Sequence, residues 1–138
     1  MFVALLLASS LIAGQLGTQW FEPRERYETP VPVQVNQSGM RSMMLNHVAP
    51  NYPHEAKRHG IQGTVLLKLA VDEKGRVSDL KVVSGHPLLA PITVEAAKRL
   101  RFRPYSLNGK ALRIQGYVSY VFQILPSGKA RVSLGPAY

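Results

Sequence analysis

Apolar residues recur at every second position along two stretches of the chain, from 65 to 71 and from 112 to 124, which is the period of a β-strand with one buried face. After the first of these stands Asp72-Glu73-Lys74-Gly75, which has the chemistry of a tight turn because glycine readily takes a positive φ. Residues 77–84 follow this turn and are predicted to form a second strand. We therefore predict an antiparallel hairpin and, later in the chain, a long third strand interrupted by Gly116.

Two further segments have the signals of helices. The segment 53–60 begins with Pro53, which suits the first helical position, and ends with Gly60, which suits a left-handed stop. From 91 to 101 the apolar residues recur three and four positions apart, and Pro104 prevents continuation. We predict an α+β domain of two layers, in the order helix, strand, strand, helix, strand. One helix covers one face of a three-stranded antiparallel sheet, and a short helix precedes that sheet.

The predicted sheet leaves its last strand unpaired on one side. Such an edge is a row of unpaired N–H and C=O groups that is able to bind another extended segment. An open edge also permits a homodimer by strand exchange.

The two ends of the chain lack the pattern of the domain, which we assign to residues 48–125. Residues 1–14 are an apolar run with the length of a signal-peptide core, and are too short to span a bilayer. No Lys or Arg precedes them, so the remnant of a membrane anchor and a buried segment remain as alternatives. Residues 15–47 are predicted to be a flexible linker, in which Met40 to Leu45 form a short strand or pack on the domain. Residues 126–138 are predicted to be a loose tail.

Composition narrows the classes of function. Lys and Arg outnumber Asp and Glu by 17 to 8, which gives a net charge of +9. No DNA- or RNA-reading motif accompanies this charge, so we do not expect a nucleic-acid partner. The only tight basic group is Lys98, Arg99, Arg101 and Arg103, which is either a solvated face or an anionic binding site. The absence of cysteine excludes disulfides and thiol nucleophiles.

The chain also lacks the constellations that catalysis or metal binding requires. His54 and His59 are five positions apart, so they diverge around a helix and are not a metal pair. Asp79, Ser84 and His86 are close in sequence, but no nucleophile elbow precedes the serine. We predict no catalytic, metal or cofactor site, and therefore a protein that is not an enzyme.

Five short segments together resemble one known family. They are Pro50–Pro53, Gly63–Val65, Val71–Val77, Val82–Leu89 and Ala96–Pro104. In this order and at this spacing they are similar to the TonB C-terminal domain family. The resemblance implies a periplasmic module that couples inner-membrane proton-motive energy to transport. Such a module binds the TonB box, an extended segment of TonB-dependent outer-membrane receptors, by strand addition along its last strand.

The resemblance also implies the residues that contact the partner. They lie on the last strand and just before the first helix: Arg113, Gln115, Tyr117, Ser119, Val121, Ala49 and Asn51. The five strand positions are expected to share the less buried face of the sheet. Ala49 stands where the best-known members of the family have glutamine, which leaves a side-chain contact there in doubt.

Two roles remain open for a chain with this resemblance. Full-length transducers have a membrane helix with a histidine that meets an ExbB–ExbD-type motor, whereas no histidine precedes His47 here. The alternative is a secreted or periplasmic interaction scaffold of the same fold without motor coupling. In either case we expect a periplasmic location, with the chain exported or anchored to the inner membrane by its N-terminus. Which receptor is served stays open.

Overall fold

A computed structural model describes residues 31–136 of the chain. The elements are, in order, β1 (Val33–Val35), α1 (Gln37–Met43), α2 (His54–Arg58), β2 (Gly63–Val71), β3 (Val77–Ser84), α3 (Ala90–Lys98), β4 (Tyr105–Leu107), β5 (Lys110–Leu112), β6 (Ile114–Ile124) and β7 (Ala130–Leu134). The predicted signal peptide or anchor, and the first part of the predicted linker, lie outside the described residues. None of the helices among residues 31–136 combines the length and the hydropathy needed to cross a membrane.

The predicted α+β class is confirmed, and α2, β2, β3, α3 and β6 follow one another in the predicted order. β2 lies between β3 and β6 and pairs antiparallel with both. The sheet, however, has five strands instead of three, because β1 and β7 both pair with the outer side of β6. β6 is 11 residues long, so it has room for two short partners side by side. β4 and β5 form a separate two-stranded hairpin.

The segment before the domain was expected to be a linker, but its second half is folded. Asn36 caps α1 by accepting a hydrogen bond from the Gly39 N–H, at 2.7 Å. The helix buries Met40 completely against Gly116 of β6. Any side chain at position 116 would collide with Met40, because a Cβ on Gly116 would lie 2.5 Å from Met40 Cγ. The expected packing of this apolar group is therefore observed at Met40, whereas Leu45 is 61% exposed.

The tail after the domain was expected to be loose, but it returns to the sheet. A turn with Gly128 at φ +81° reverses the chain. β7 then pairs with β6 from Ala130↔Ile124 to Leu134↔Tyr120. Val132 and Leu134 pack against the core, which gives this strand an apolar side that a short pattern did not reveal.

The core lies between the sheet and the helices. It is formed by alternate residues of β2 and β6 on one side and by α1, α2 and α3 with the segment after α3 on the other. Its largest fully buried side chains include Tyr120, Phe102, Phe122, Met40, Leu67, Leu69, Leu89 and Leu100. Among the described residues, no helix packs on the opposite face of the sheet. The predicted contact positions within β6 lie on this face.

Candidate partner-binding site

The outer side of β6 is paired with two other segments of the same chain, β1 and β7. At its start, the Val33 N–H donates to the Arg113 carbonyl at 2.8 Å, and β1 continues parallel to β6 as far as Gly116. At its end, β7 pairs with residues 120–124, and the Gly135 N–H donates to the Ser119 carbonyl at 2.8 Å. The expectation of an unpaired last strand is therefore wrong for this structure. Only residues 117 and 118 lie between the two covering segments.

Four of the five predicted strand positions lie on the face of β6 away from the core, and the fifth, Arg113, immediately precedes β6. Arg113 and Tyr117 are exposed, and Gln115 and Val121 are half-buried. Ser119 differs, because it is only 8% exposed. Gly135 lies directly against its hydroxyl, so closely that a Cβ on Gly135 would collide with Ser119 Oγ. The returning tail thus covers one of the predicted contact positions.

Two of the predicted positions already have partners within the chain. Arg113 Nε lies 3.0 Å from Glu73 Oε1 in an exposed ion pair. A backbone hydrogen bond and the bond from Arg113 lower the pKa of Glu73. Gln115 Oε1 accepts from Gln34 Nε2 of β1 at 3.2 Å. Exposed pairs of this kind contribute little to stability, so Arg113 and Gln115 can leave these partners at a small cost in free energy.

The two predicted positions before α2 are separated by the structure. Ala49 lines an open groove of about 230 Å³ beside β7, whose other lining residues include Val132 and Leu134. Tyr120 also lines it, and its hydroxyl donates to the Val48 carbonyl at 3.0 Å. Burial raises the pKa of Tyr120 to about 12, so this hydroxyl remains a neutral donor at neutral pH. Asn51 is exposed and does not line the groove.

Sequence reasoning missed two residues that contact or hold the segment after β7 against this edge. They are Gly135, which fits against Ser119, and Arg41, whose Nη1 donates to the Gly135 carbonyl at 3.2 Å. Both lie in segments without a sustained apolar pattern, and no local signal marks them. Within residues 31–136, no group of three or more His, Asp or Glu side chains is arranged to hold a metal ion.

The structure defines a small α+β domain in which a mixed five-stranded sheet is packed against helices on one face. The family model described as Gram-negative bacterial TonB protein C-terminal matches residues 48–124. The chain belongs to this family.

Individual relatives agree with the family match. Protein tonB2 of Pseudomonas aeruginosa is 41% identical over 69 residues, which are 49% of this chain and 26% of that protein. Protein TonB of Vibrio cholerae is 31% identical over 83 residues, which are 59% of this chain and 33% of that protein. The chain thus spans only about a quarter to a third of the length of these curated relatives. The solution NMR structure of the Pseudomonas aeruginosa TonB CTD is similar with a TM-score of 0.51 and 28% identity, over 59% of this chain and 84% of that one.

Proposed function

We propose that this protein is a periplasmic TonB-like module that binds the TonB box of outer-membrane receptors by adding the box as a strand to β6. The observation that supports this most directly is the state of the β6 edge. Among residues 31–136 two short segments cover it, and both come from outside the residues 48–124 that match the family. A foreign strand replaces such a segment without loss of main-chain hydrogen bonds, because it offers the same donors and acceptors.

Of the two covering segments, β7 is the one that we expect to be displaced. None of its five side chains is fully buried, whereas β1 continues into α1, which is held by the completely buried Met40. Full burial of a Val or Leu side chain contributes about 1.5–3 kcal/mol, so two half-buried side chains, Val132 and Leu134, together contribute roughly 1.5–3 kcal/mol. A peptide that buries similar side chains at this edge offsets that amount.

Release of β7 changes which residues meet the partner. It exposes the edge of β6 over residues 117–124, which contains the predicted contact positions Tyr117, Ser119 and Val121. It also widens the groove beside Ala49. Arg113 and Gln115 flank the freed edge under β1, and Asn51 lies before α2.

The same proposal includes the coupling of proton-motive energy to transport. The support is family membership and the names of the two curated relatives, tonB2 and TonB. An ExbB–ExbD-type motor is then the second partner, and the chain is exported or anchored to the inner membrane by its N-terminus. In this role the protein transmits force and catalyses no reaction.

Strand addition is tested by titrating the ¹⁵N-labelled chain with a TonB-box peptide, with a scrambled peptide as control. Gly135→Ala loosens β7, because the added methyl group collides with Ser119 Oγ. Gly116→Ala loosens α1, because the methyl group meets Met40 and the Val35 carbonyl. We expect amide shifts in residues 117–124, and a higher peptide affinity for Gly135→Ala than for the natural chain.

The outcomes separate the alternatives. A rise in affinity for Gly116→Ala alone would assign the displaced segment to β1 instead of β7. Unmoved β6 amides in the natural chain and in both variants would reject the site. Gly109→Ala serves as the control for a glycine substitution, since no atom lies within 4 Å of the added Cβ.

A further inference from the structure

β3 is the border of the sheet that remains uncovered among the described residues. It pairs with β2 on one side and is the terminal strand of the sheet on the other. Six of its eight residues are exposed, including Val82 at 36% and Val83 at 49%. An exposed edge strand with apolar residues is a template for pairing with another chain.

The backbone of β3 at Leu80 faces away from β2. Its N–H donates to the carboxylate of the preceding Asp79, at 2.9 Å. In an antiparallel strand the N–H and C=O of one residue point to the same side. Leu80 therefore offers one donor and one acceptor outward, and in the single chain the Asp79 side chain occupies the donor.

The charged side chains of β3 have no ion-pair partner among residues 31–136. The other four acidic residues in the described range, Glu55, Asp72, Glu73 and Glu95, each form an ion pair with a cation. Asp79 forms none in the described part of the chain. Two residues further on the same face, Lys81 lies directly opposite Lys68 of β2, and like charges in that position are destabilising.

We propose that β3 pairs antiparallel with β3 of a second copy of this chain, with the two strands centred on Leu80. In that register the two Leu80 residues exchange two backbone hydrogen bonds. Asp79 of each copy lies opposite Lys81 of the other, in the closer, non-hydrogen-bonded kind of cross-strand pair. Because the two copies are related by a two-fold axis, the pair between Asp79 and Lys81 forms twice in the dimer.

The other face of β3 also fits a second strand. The side chains of Leu80 and Val82 point to the helix side, because these residues pair with the buried Leu69 and Leu67. An open groove of about 600 Å³ runs there between β3 and α3, and it is lined by Val77, Ser78, Asp79, Leu80, Val94 and Lys98. In the proposed register Val82 of the second copy lies at the end of the regular stretch, next to the bulge at Ser78, on the side of this groove.

The number of β3 residues that are able to pair limits the affinity of the proposed dimer. Register shifts between Leu66 and Leu67 and between Ala70 and Val71 limit the regular part of β3 to residues 79–82. Bulges of this kind restrict edge pairing to a short stretch. We therefore expect a weak dimer that forms with rising concentration, in the manner of small transient interfaces.

Charge reversal tests the register. K81E or D79K places like charges opposite each other twice per dimer, so each should raise the dimer dissociation constant of the full chain by about tenfold. The double variant D79K/K81D reverses both charges and keeps the strand self-complementary, so dimerisation should return. K110E, on the separate β4–β5 hairpin, makes the same change of net charge as K81E and should have no such effect. Sedimentation velocity over a range of concentrations gives all five constants, and circular dichroism checks that each variant is folded.

Several outcomes would overturn the proposal. They are a chain that stays monomeric at every concentration, a dimer that both single variants leave unchanged, and a double variant that fails to recover. A dimer that responds to Gly135→Ala instead would be strand exchange at β6. Because β3 and the outer side of β6 are opposite borders of the sheet, D79K and K81E should leave TonB-box binding unchanged. The two proposals can therefore fail separately.

Discussion

Gly75 is in a turn that also touches a distant part of the chain. Its φ is +83°, and a Cβ would collide with the Phe102 carbonyl. The Phe102 N–H in turn donates to the Gly75 carbonyl at 2.8 Å. The turn between β2 and β3 is thereby fastened to the segment that follows α3, and only a residue without a side chain permits this approach.

Gly75→Ala and Gly109→Ala separate these two requirements. Gly109 has a similar φ of +78°, with no atom within 4 Å of an added Cβ. Alanine there should therefore cost about 1–2 kcal/mol from backbone strain alone. At Gly75 the backbone of Phe102 must move as well, so we expect a loss above about 3 kcal/mol. Urea unfolding measures both, and equal losses would show that the contact with Phe102 is unimportant.

Tyr120 gives the fold a dependence on alkaline pH. The unfolded side chain ionises near pH 10, and burial raises its pKa to about 12 in the folded chain. Because the pKa is higher in the folded chain, the contribution of the neutral Tyr120 side chain to the free energy of unfolding is fully present below about pH 10. It is lost as the pH rises through about 12. Tyr120→Phe should lower the free energy of unfolding at neutral pH by about 1 kcal/mol, since the bond to the Val48 carbonyl is lost.

The same variant should show a flatter decline in stability between pH 10 and pH 12. Other groups titrate in this range, but they are common to both proteins, so the difference between the two curves reports Tyr120. Parallel curves would contradict the assignment.

At the scale of elements, α1 shows how far the fold extends beyond the family match. Met40 is completely buried, whereas Met43, three positions later, is only half-buried. Met40→Ala should destabilise the chain by about 2–5 kcal/mol, because it leaves a cavity between α1 and Gly116. Met43→Ala is the matched control and should cost less. If thermal unfolding shows no effect of Met40→Ala, α1 would be a separate linker element.

The elements predicted from the sequence are those whose signals are local. β2 has a continuous alternation, β6 has one that only Gly116 interrupts, and α3 has its own three-and-four spacing and a proline beyond its end. The turn at Gly75 is marked by a residue that tolerates positive φ, and the structure confirms a φ of +83° there. These patterns were sufficient for the class and the order of the central elements.

The elements that were not predicted depend on contacts between distant residues. β1 has three residues and β7 has five, which is too short for a period to emerge from their sequences. Their conformation is determined by the free side of β6. The solvent-side position of Tyr117 and Val121 followed from alternation, but the burial of Ser119 did not, because it depends on where Gly135 returns. Local patterns thus predicted β6 and the direction of its side chains, but they did not predict that β1 and β7 pair with its outer side.

On the scale of the whole molecule, stability should decrease from the centre of the sheet to its borders. β2 is paired on both sides, and its four core-facing residues, Val65, Leu67, Leu69 and Val71, are at most 1% exposed. β7 has one partner strand and no fully buried side chain. Strands with few buried contacts open locally, at free energies well below that of global unfolding. Access to the β6 edge therefore depends on how much less stable β7 is than the rest.

Native-state hydrogen exchange measures this difference directly. We expect β2 amides to exchange only through global unfolding, and β7 amides to exchange through local opening that is insensitive to low denaturant. Protection of β1 should lie between the two, because α1 anchors it through Met40. Gly135→Ala should accelerate amide exchange in β7. Amide exchange in β2 should change only as much as the free energy of global unfolding changes. If β7 amides are instead as protected as those of β2, the tail never leaves β6 without unfolding, and a TonB box has no edge to join.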